Sequence, residues 1–169
     1  MSDFAQLAKR RYSLRAFKPD AVPQEMIDAL LEMALVAPTA HNNQPQRIKV
    51  LRSTQELTLV DEFTPCRFGA PLVFVVCFAR TAAWRRSFDG AHSGVVDASI
   101  VTTHLMLAAA DLGLGSVWVM YFDPAKAAEL LGLSENLEPV AVLPVGFAQD
   151  DARPSEFHAR SLALSDILL

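Results

Sequence analysis

Two cysteines, Cys66 and Cys77, are too few for a disulfide framework in a chain of 169 residues. Cys77 lies inside the apolar run 73–78 and reads as a buried structural thiol. Cys66 follows Pro65 in an expected loop, and the sequence names neither a base nor a neighbour that would activate it. No segment approaches a membrane span with charge-free flanks, and no apolar signal region stands at the start, so the expectation is a cytoplasmic protein without membrane attachment. Internal repeats, low-complexity tracts and Gly/Ser linkers are absent. A formal net charge of −4 lacks the electrostatic footprint of a nucleic-acid binder. His92 and His104 have no ligand-like spacing with each other or with cysteine, so no metal site is expected. The Gly113-x-Gly115 pair is too short for a dinucleotide fingerprint and follows a helix rather than a strand, which excludes a Rossmann site. Neither Cys66 nor Ser93 sits in a Gly-x-Ser-x-Gly elbow, which sets a hydrolase reading aside.

What is present is an apolar, alternating chain. Hydrophobic residues make up 51% and charged residues 20%, enough for one domain over residues 1–169 with a thick core, and the surplus also suits a subunit interface. Helical and strand-like segments alternate from end to end, which predicts an α+β or α/β domain with a sheet covered by helices. Asp3 is the expected cap of a short helix to about Arg11. Pro23 opens a second helix whose buried face is Ile27, Leu30, Leu31, Ala34 and Leu35, ended by Pro38. A strand over 47–51 follows an amide-rich loop, and Thr54 caps the next helix. The near-continuous apolar run 71–78 is expected as a central strand with both faces covered. Residues 94–112 form the longest predicted helix, apolar on nearly every side and therefore buried all round, stopped by Gly113 in the left-handed conformation. Asp97 is expected to cap it, and His104 to be a satisfied core histidine. Strands over 116–120 and 139–145 flank a short helix opened by Asp123-Pro124, and the apolar end 161–169 could pack on the domain or on a partner.

Four groups of residues carry chemistry. Arg11-Tyr12-Ser13-x-Arg15 places two guanidinium groups four positions apart around a hydroxyl, within the basic cluster Lys9, Arg10, Arg11, Arg15 and Lys18. Such a cluster is either a solvated basic face or a grip for one small anion such as a phosphate, for which the planar fork of Arg is suited. Pro38-Thr39-Ala40-His41-Asn42-Asn43-Gln44-Pro45 offers uncharged donors and acceptors suited to the edge of a heterocycle or to a polyol. Gly113-Leu114-Gly115-Ser116 forms a turn into a strand, and His158-Ala159-Arg160 is a second basic pair.

In this order the groups resemble the nitroreductase family of FMN-dependent enzymes. Arg11, Ser13, Arg15, Ala16 and Phe17 match its opening Arg-x-Ser-x-Arg/Lys motif; Pro38, Thr39, Asn42, Gln44 and Pro45 match its Pro-Ser-x-x-Asn-x-Gln-Pro-Trp motif. Gly113 to Ser116 with Val117-Trp118-Val119, then Pro144, Gly146, His158 and Arg160, complete the set. The resemblance implies a central, mostly antiparallel sheet flanked by helices, in an intimate homodimer with a long buried helix and two FMN sites at the interface. It implies that Arg11, Ser13, Arg15 and Arg160, with His158 beside them, hold the FMN phosphate and the adjacent chain; Tyr12 stands where the family often has a small basic or aromatic residue. Pro38, Thr39, Ala40, Asn42 and Gln44 would line the flavin from the second subunit, and Trp118, Val119 and Met120 would approach its ring through backbone groups. The implied activity is ping-pong transfer of hydride from NADH or NADPH through the flavin to a nitroaromatic, quinone, enone or similar acceptor, with no protein group obliged to act as acid or base. A flavin-binding carrier or sensor without turnover is the alternative. The chain departs from the family at Gln46, where Trp is usual, and at Thr39, where Ser is usual. It also lacks the inserted helices that shape the acceptor pocket of larger members, which leaves the acceptor open.

Overall fold

In the computed structural model, which describes residues 2–169, the chain runs α1 (Asp3–Arg10), α2 (Gln24–Leu35), a 3-10 turn (Ala40–Asn42), β1 (Gln46–Leu51), α3 (Thr54–Phe63), β2 (Leu72–Ala79), α4 (Gly94–Asp111), β3 (Gly115–Ser116), α5 (Pro124–Leu130) and β4 (Leu137–Gly146). Two further 3-10 turns, Glu156–Ala159 and Leu164–Asp166, lie in the tail. The four strands form one antiparallel sheet in the order β1-β2-β4-β3.

Every residue of β2 is buried, as its unbroken apolar run predicts. Alternation then divides the core in two. Leu72, Phe74, Val76 and Phe78 face α2 and α4, while Val73, Val75 and Cys77 face the cluster of Leu14, Phe17, Val60, Phe63 and Ala127. Removing a ring such as Phe74, which has no solvent exposure, would cost about 3–5 kcal/mol. The β2–β4 register slips between Val76 and Cys77, where Ala141 and Pro139 are the successive partners and Val140 is left over. The bulge falls beside a proline, which has no N–H to give to a ladder.

Local chemistry sets most element ends, with several differences from expectation. Ser2, not Asp3, caps α1, accepting the Ala5 N–H. Ser53, not Thr54, caps α3, and with Glu56 it closes a full capping box. Asp123 caps α5 through the N–H groups of Ala125 and Lys126, with Pro124 in the first turn. Gly113 has φ +78, as the stop of α4 requires. Within α2, Ile27, Leu30 and Ala34 are buried, Leu31 is half-buried, and Leu35 faces solvent. The strand expected over 116–120 is shorter: β3 ends at Ser116, and only the Val119–Val142 bridge continues it.

α4 buries Ala98, Val101, Thr102, Leu105 and Ala109 against the sheet and α2. Its other side is open in the single protomer, with Val95 and Val96 exposed and His104 half-buried. The His104 Nδ1 lies 3.0 Å from the Ile100 carbonyl one turn back, so the ring is satisfied within its own helix. A groove of about 520 Å³ between α1, α2 and α4 is lined by Phe4, Leu7, Met33, His104 and Leu107. None of the residues of α1 is buried. The tail is likewise exposed from residue 153 onward, its apolar end included. Among the described residues no helix is long and apolar enough to cross a membrane, and no cluster of His, Cys, Asp or Glu could hold a metal ion.

Candidate functional site

The Arg11-to-Phe17 segment is extended and clamped along the exits of β3 and β4. Ser13 bridges Ser116 in parallel, and the Leu14 N–H donates to the Ser116 carbonyl at 3.0 Å. Leu14 and Phe17 plug the core below. Beyond them, Phe17 bridges Ala148, the Gln149 N–H donates to the Ala16 carbonyl, and Gln149 Nε2 donates to the Phe17 carbonyl. Lys18 meets Asp150 at 2.6 Å; that hydrogen bond and charge raise the Lys18 pKa and lower that of Asp150. The segment therefore has anchors along its length, and Arg11 and Arg15 are carried on a fixed backbone.

Charge pairing separates the five cations of the basic cluster. Arg10 reaches Asp111 at 3.6 Å and Lys18 reaches Asp150. Arg11 and Arg15 form no ion pair among the described residues; Arg15 only approaches the Ser13 carbonyl, at 3.4 Å. Arg11 and Tyr12, with the paired Arg10 beside them, line a hollow of about 210 Å³ that Ala110, Gly113, Leu114, Gly115, Ser116 and Ala148 complete. The Ser116 hydroxyl at its wall is buried without a hydrogen-bond partner. Arg11, lining the hollow with that buried, unsatisfied hydroxyl, and Arg15, unpaired on the same clamped segment, can receive a small multivalent anion.

Trp118, Val119 and Met120 leave the same corner. Val119 exchanges both backbone hydrogen bonds with Val142, at 2.9 and 3.0 Å. Trp118 and Met120 therefore turn their N–H groups away from β4, and among the described residues neither has a backbone acceptor. The Trp118 indole N–H is buried and unpartnered, and Met120 is exposed. Met120 and Tyr121 line a second hollow, of about 420 Å³, with Phe63, Thr64 and Pro65.

The amide loop has an unusual backbone. His41, Asn42 and Gln44 all have positive φ (54, 53 and 49°), a region that costs a non-glycine residue about 1–2 kcal/mol. Side chains hold the shape. Thr39 Oγ1 accepts the Gln44 N–H at 3.1 Å, Gln44 Nε2 donates to Asn42 Oδ1 at 3.2 Å, and Asp97 Oδ1 accepts the Ala40 N–H at 2.9 Å. The His41 ring stacks on Trp84 at 5.3 Å and 14°. Pro38, Thr39, Ala40, Asn42 and Gln44 are thus brought together with one another. No hydrogen bond or ion pair joins them to Arg11, Ser13 or Arg15 within the described protomer.

The tail pair is partly joined to the first motif. The Tyr12 and His158 rings meet edge-on at 6.2 Å. Arg160 is engaged in its own turn, 3.3 Å from Glu156 and over the Phe157 ring. Sequence reasoning missed three features. Asp97 does not cap α4: Ser93 occupies the cap, and Asp97 reaches across to Ala40. Trp84 had no signal linking it to His41, because the partners lie in separate loops. Gln46 was marked only as a departure from a motif, yet its Oε1 is buried and unpartnered.

The sequence matches the profile of the Nitroreductase family over residues 8–65 and 60–147, which includes the Arg11 segment, the amide loop and the Gly113-to-Ser116 turn. The chain belongs to the nitroreductase family. Its fold superposes on a nitroreductase family protein of Clostridium difficile with a TM-score of 0.93 and 37% identity, covering 100% of this chain and 98% of that one. It is 31% identical over 158 residues to a candidate NADH dehydrogenase/NAD(P)H nitroreductase of Archaeoglobus fulgidus, covering 89% of this chain and 88% of the relative. A candidate nitroreductase of Desulfovibrio desulfuricans, solved in complex with FMN, matches at a TM-score of 0.83 and 26% identity over 100% of this chain and 96% of the other.

Proposed function

We propose that the protein is an FMN-dependent oxidoreductase that passes hydride from NADH or NADPH to a small acceptor, working as a homodimer. The observation that carries the reading is Arg11, free of a counter-ion in the hollow of the unsatisfied Ser116 hydroxyl, with Arg15 likewise unpaired on the same clamped backbone. A dianionic phosphate matches that donor set. Ser13, and Arg160 with His158 once the tail is redirected from Glu156, would complete it. The free N–H groups of Trp118 and Met120 on either side of the paired Val119 fit the edge of a flat heterocycle. The Gln44–Asn42 contact uses one donor of Gln44 and an acceptor of Asn42, leaving the Asn42 amide N–H groups and Gln44 Oε1 without a hydrogen bond among the described residues. That donor and acceptor pair suits a ring edge carrying a carbonyl next to an N–H.

Bound FMN would supply the two-electron chemistry, which explains the lack of a protein acid/base pair in this region. The chain's own residues bind and orient. Arg11 and Arg15 fix the phosphate end, Trp118 to Met120 form one wall of the ring site, and the loop of Pro38, Thr39, Ala40, Asn42 and Gln44 forms the other from the second subunit. That no hydrogen bond or ion pair joins this loop to Arg11 within one protomer supports a shared, two-subunit site. The apolar groove between α1, α2 and α4 and the exposed residues Phe4, Val95 and Val96 support the same assembly.

The test is the visible spectrum of the purified protein, before and after adding NADH or NADPH without air. A flavin absorption that bleaches is expected. A flavin absorption that persists with either donor would instead favour a carrier. A colourless protein that does not take up added FMN would overturn the reading.

A further inference from the structure

Asp97 is 1% exposed in the first turn of α4, and the described residues give it no cationic partner. A buried carboxyl group is costly unless its oxygens are satisfied, and both are. Oδ2 accepts the Ser93 hydroxyl at 2.6 Å, and Oδ1 accepts the Ala40 N–H at 2.9 Å. The first bond is local and steadies the carboxyl. The second crosses 57 positions of sequence to the residue immediately before His41 and Asn42, both left-handed. A run of strained non-glycine residues persists only where its surroundings over-determine it. The ties from Thr39 and Asn42 to Gln44 are internal and travel with it. Arg47 of the adjoining β1 holds the loop's end through the Gln44 carbonyl at 3.1 Å, and the Ala40–Asp97 bond and the His41–Trp84 stack fix its middle to distant parts of the protein. The stack is exposed on its His41 side, whereas the Asp97 carboxyl is sealed.

We propose that Asp97 is a positioning residue that holds the Pro38-to-Gln44 loop in its strained, ligand-ready shape, so that Asn42 and Gln44 are presented at a fixed place before FMN arrives. The role rests on the reading of this loop as one wall of the flavin site. Asp97 touches no ligand; it acts through the Ala40 backbone. Geometry rather than charge is what the loop needs, because an amide oxygen in the same place still accepts the Ala40 N–H while its N–H group can donate to Ser93 Oγ.

The test compares Asp97→Ala, Asp97→Asn and Ser93→Ala by two readouts: amide hydrogen exchange over residues 39–44 in the flavin-free protein, and FMN affinity by quenching of flavin fluorescence. Asp97→Ala is expected to speed exchange over the loop and weaken FMN binding about tenfold, the scale of losing one buried hydrogen bond. Asp97→Asn should restore both, which a role confined to the carboxylate charge would not allow. Ser93→Ala, which only loosens the carboxyl, should fall between and covers the case in which Asp97→Ala fails to fold. Unchanged exchange and affinity in Asp97→Ala, or failure of Asp97→Asn to restore them, overturns the proposal. If the native protein binds no FMN, the flavin reading itself falls, and the exchange readout alone still decides whether Asp97 holds the loop.

Discussion

The side chain of Leu14 fills the space that a β-carbon on Gly115 would need: built there, the atom would run into Leu14 Cδ2. This contact lets the Arg11-to-Phe17 segment lie flat against the turn after α4, with the Leu14 N–H bonded to the Ser116 carbonyl. Gly115→Ala is expected to destabilise the fold by about 1–3 kcal/mol, as overpacking does. It should also weaken FMN binding, because the displaced segment carries Arg11 and Arg15. Gly113→Ala is the control: its β-carbon meets nothing within 4 Å, and its cost, about 1–2 kcal/mol, comes from φ +78 alone. Urea melts and FMN titrations of the two variants should separate stability from binding; equal FMN affinities for both would count against the segment's role.

Arg11→Ala with Arg15→Ala should yield a folded, colourless protein, since neither side chain carries an ion pair whose loss would disturb the fold. Arg86→Ala, which removes an exposed pair with Asp89 outside the Arg11 hollow, should keep its colour. Flavin content per protomer after gel filtration reads the difference. Full flavin retention in the double variant would remove the phosphate role.

Burial pushes the Cys77 thiol up from 9.0 to about 12, with Lys49 opposing weakly. The unfolded chain therefore releases this proton at lower pH than the folded one. The contribution to stability is whole below pH 9 and declines as pH rises toward 12. Cys77→Ala should flatten that alkaline decline. A thiol reagent at neutral pH should find Cys66 in the native protein and both cysteines only after unfolding. Two thiols reacting at native rates would contradict the burial.

The capping box of α3 has the opposite sign. Backbone N–H groups of Ser53 and Arg52, then the Ser53 hydroxyl, hold Glu56 below its ordinary 4.5. Its contribution is present above that pH and lost as pH falls through the lower folded value. Ser53→Ala should cost about 1 kcal/mol, the usual worth of an N-cap. Glu56→Gln keeps an acceptor and should remove the acid-side slope. Chemical denaturation between pH 3 and about 7 checks both.

Met33, 39% exposed, lines the apolar groove between α1, α2 and α4. If that groove closes against a second copy and, as proposed, each site draws on both subunits, Met33→Glu should yield a monomer by light scattering with loss of bound FMN. A dimer that persists with full flavin would place the interface elsewhere.

Features set by neighbours in sequence were legible from the sequence. The eight-residue run of β2 reads as a strand covered on both faces, Asp123-Pro124 reads as a helix start, and Gly113 ends α4 with a positive φ. The order of the basic, amide and glycine motifs likewise carried the family, since each is a short string. Tertiary structure decided the rest. Asp97 reads locally as a helix cap, and only the packing of α4 against the loop gives it Ala40 instead. Trp84 carries no local sign of a partner, and only the folded chain stacks it on His41. Arg10 and Arg11 are neighbours of identical chemistry, yet Asp111 takes one and leaves the other free. These outcomes depend on which distant segments meet, and a local pattern of propensity and periodicity holds no record of that.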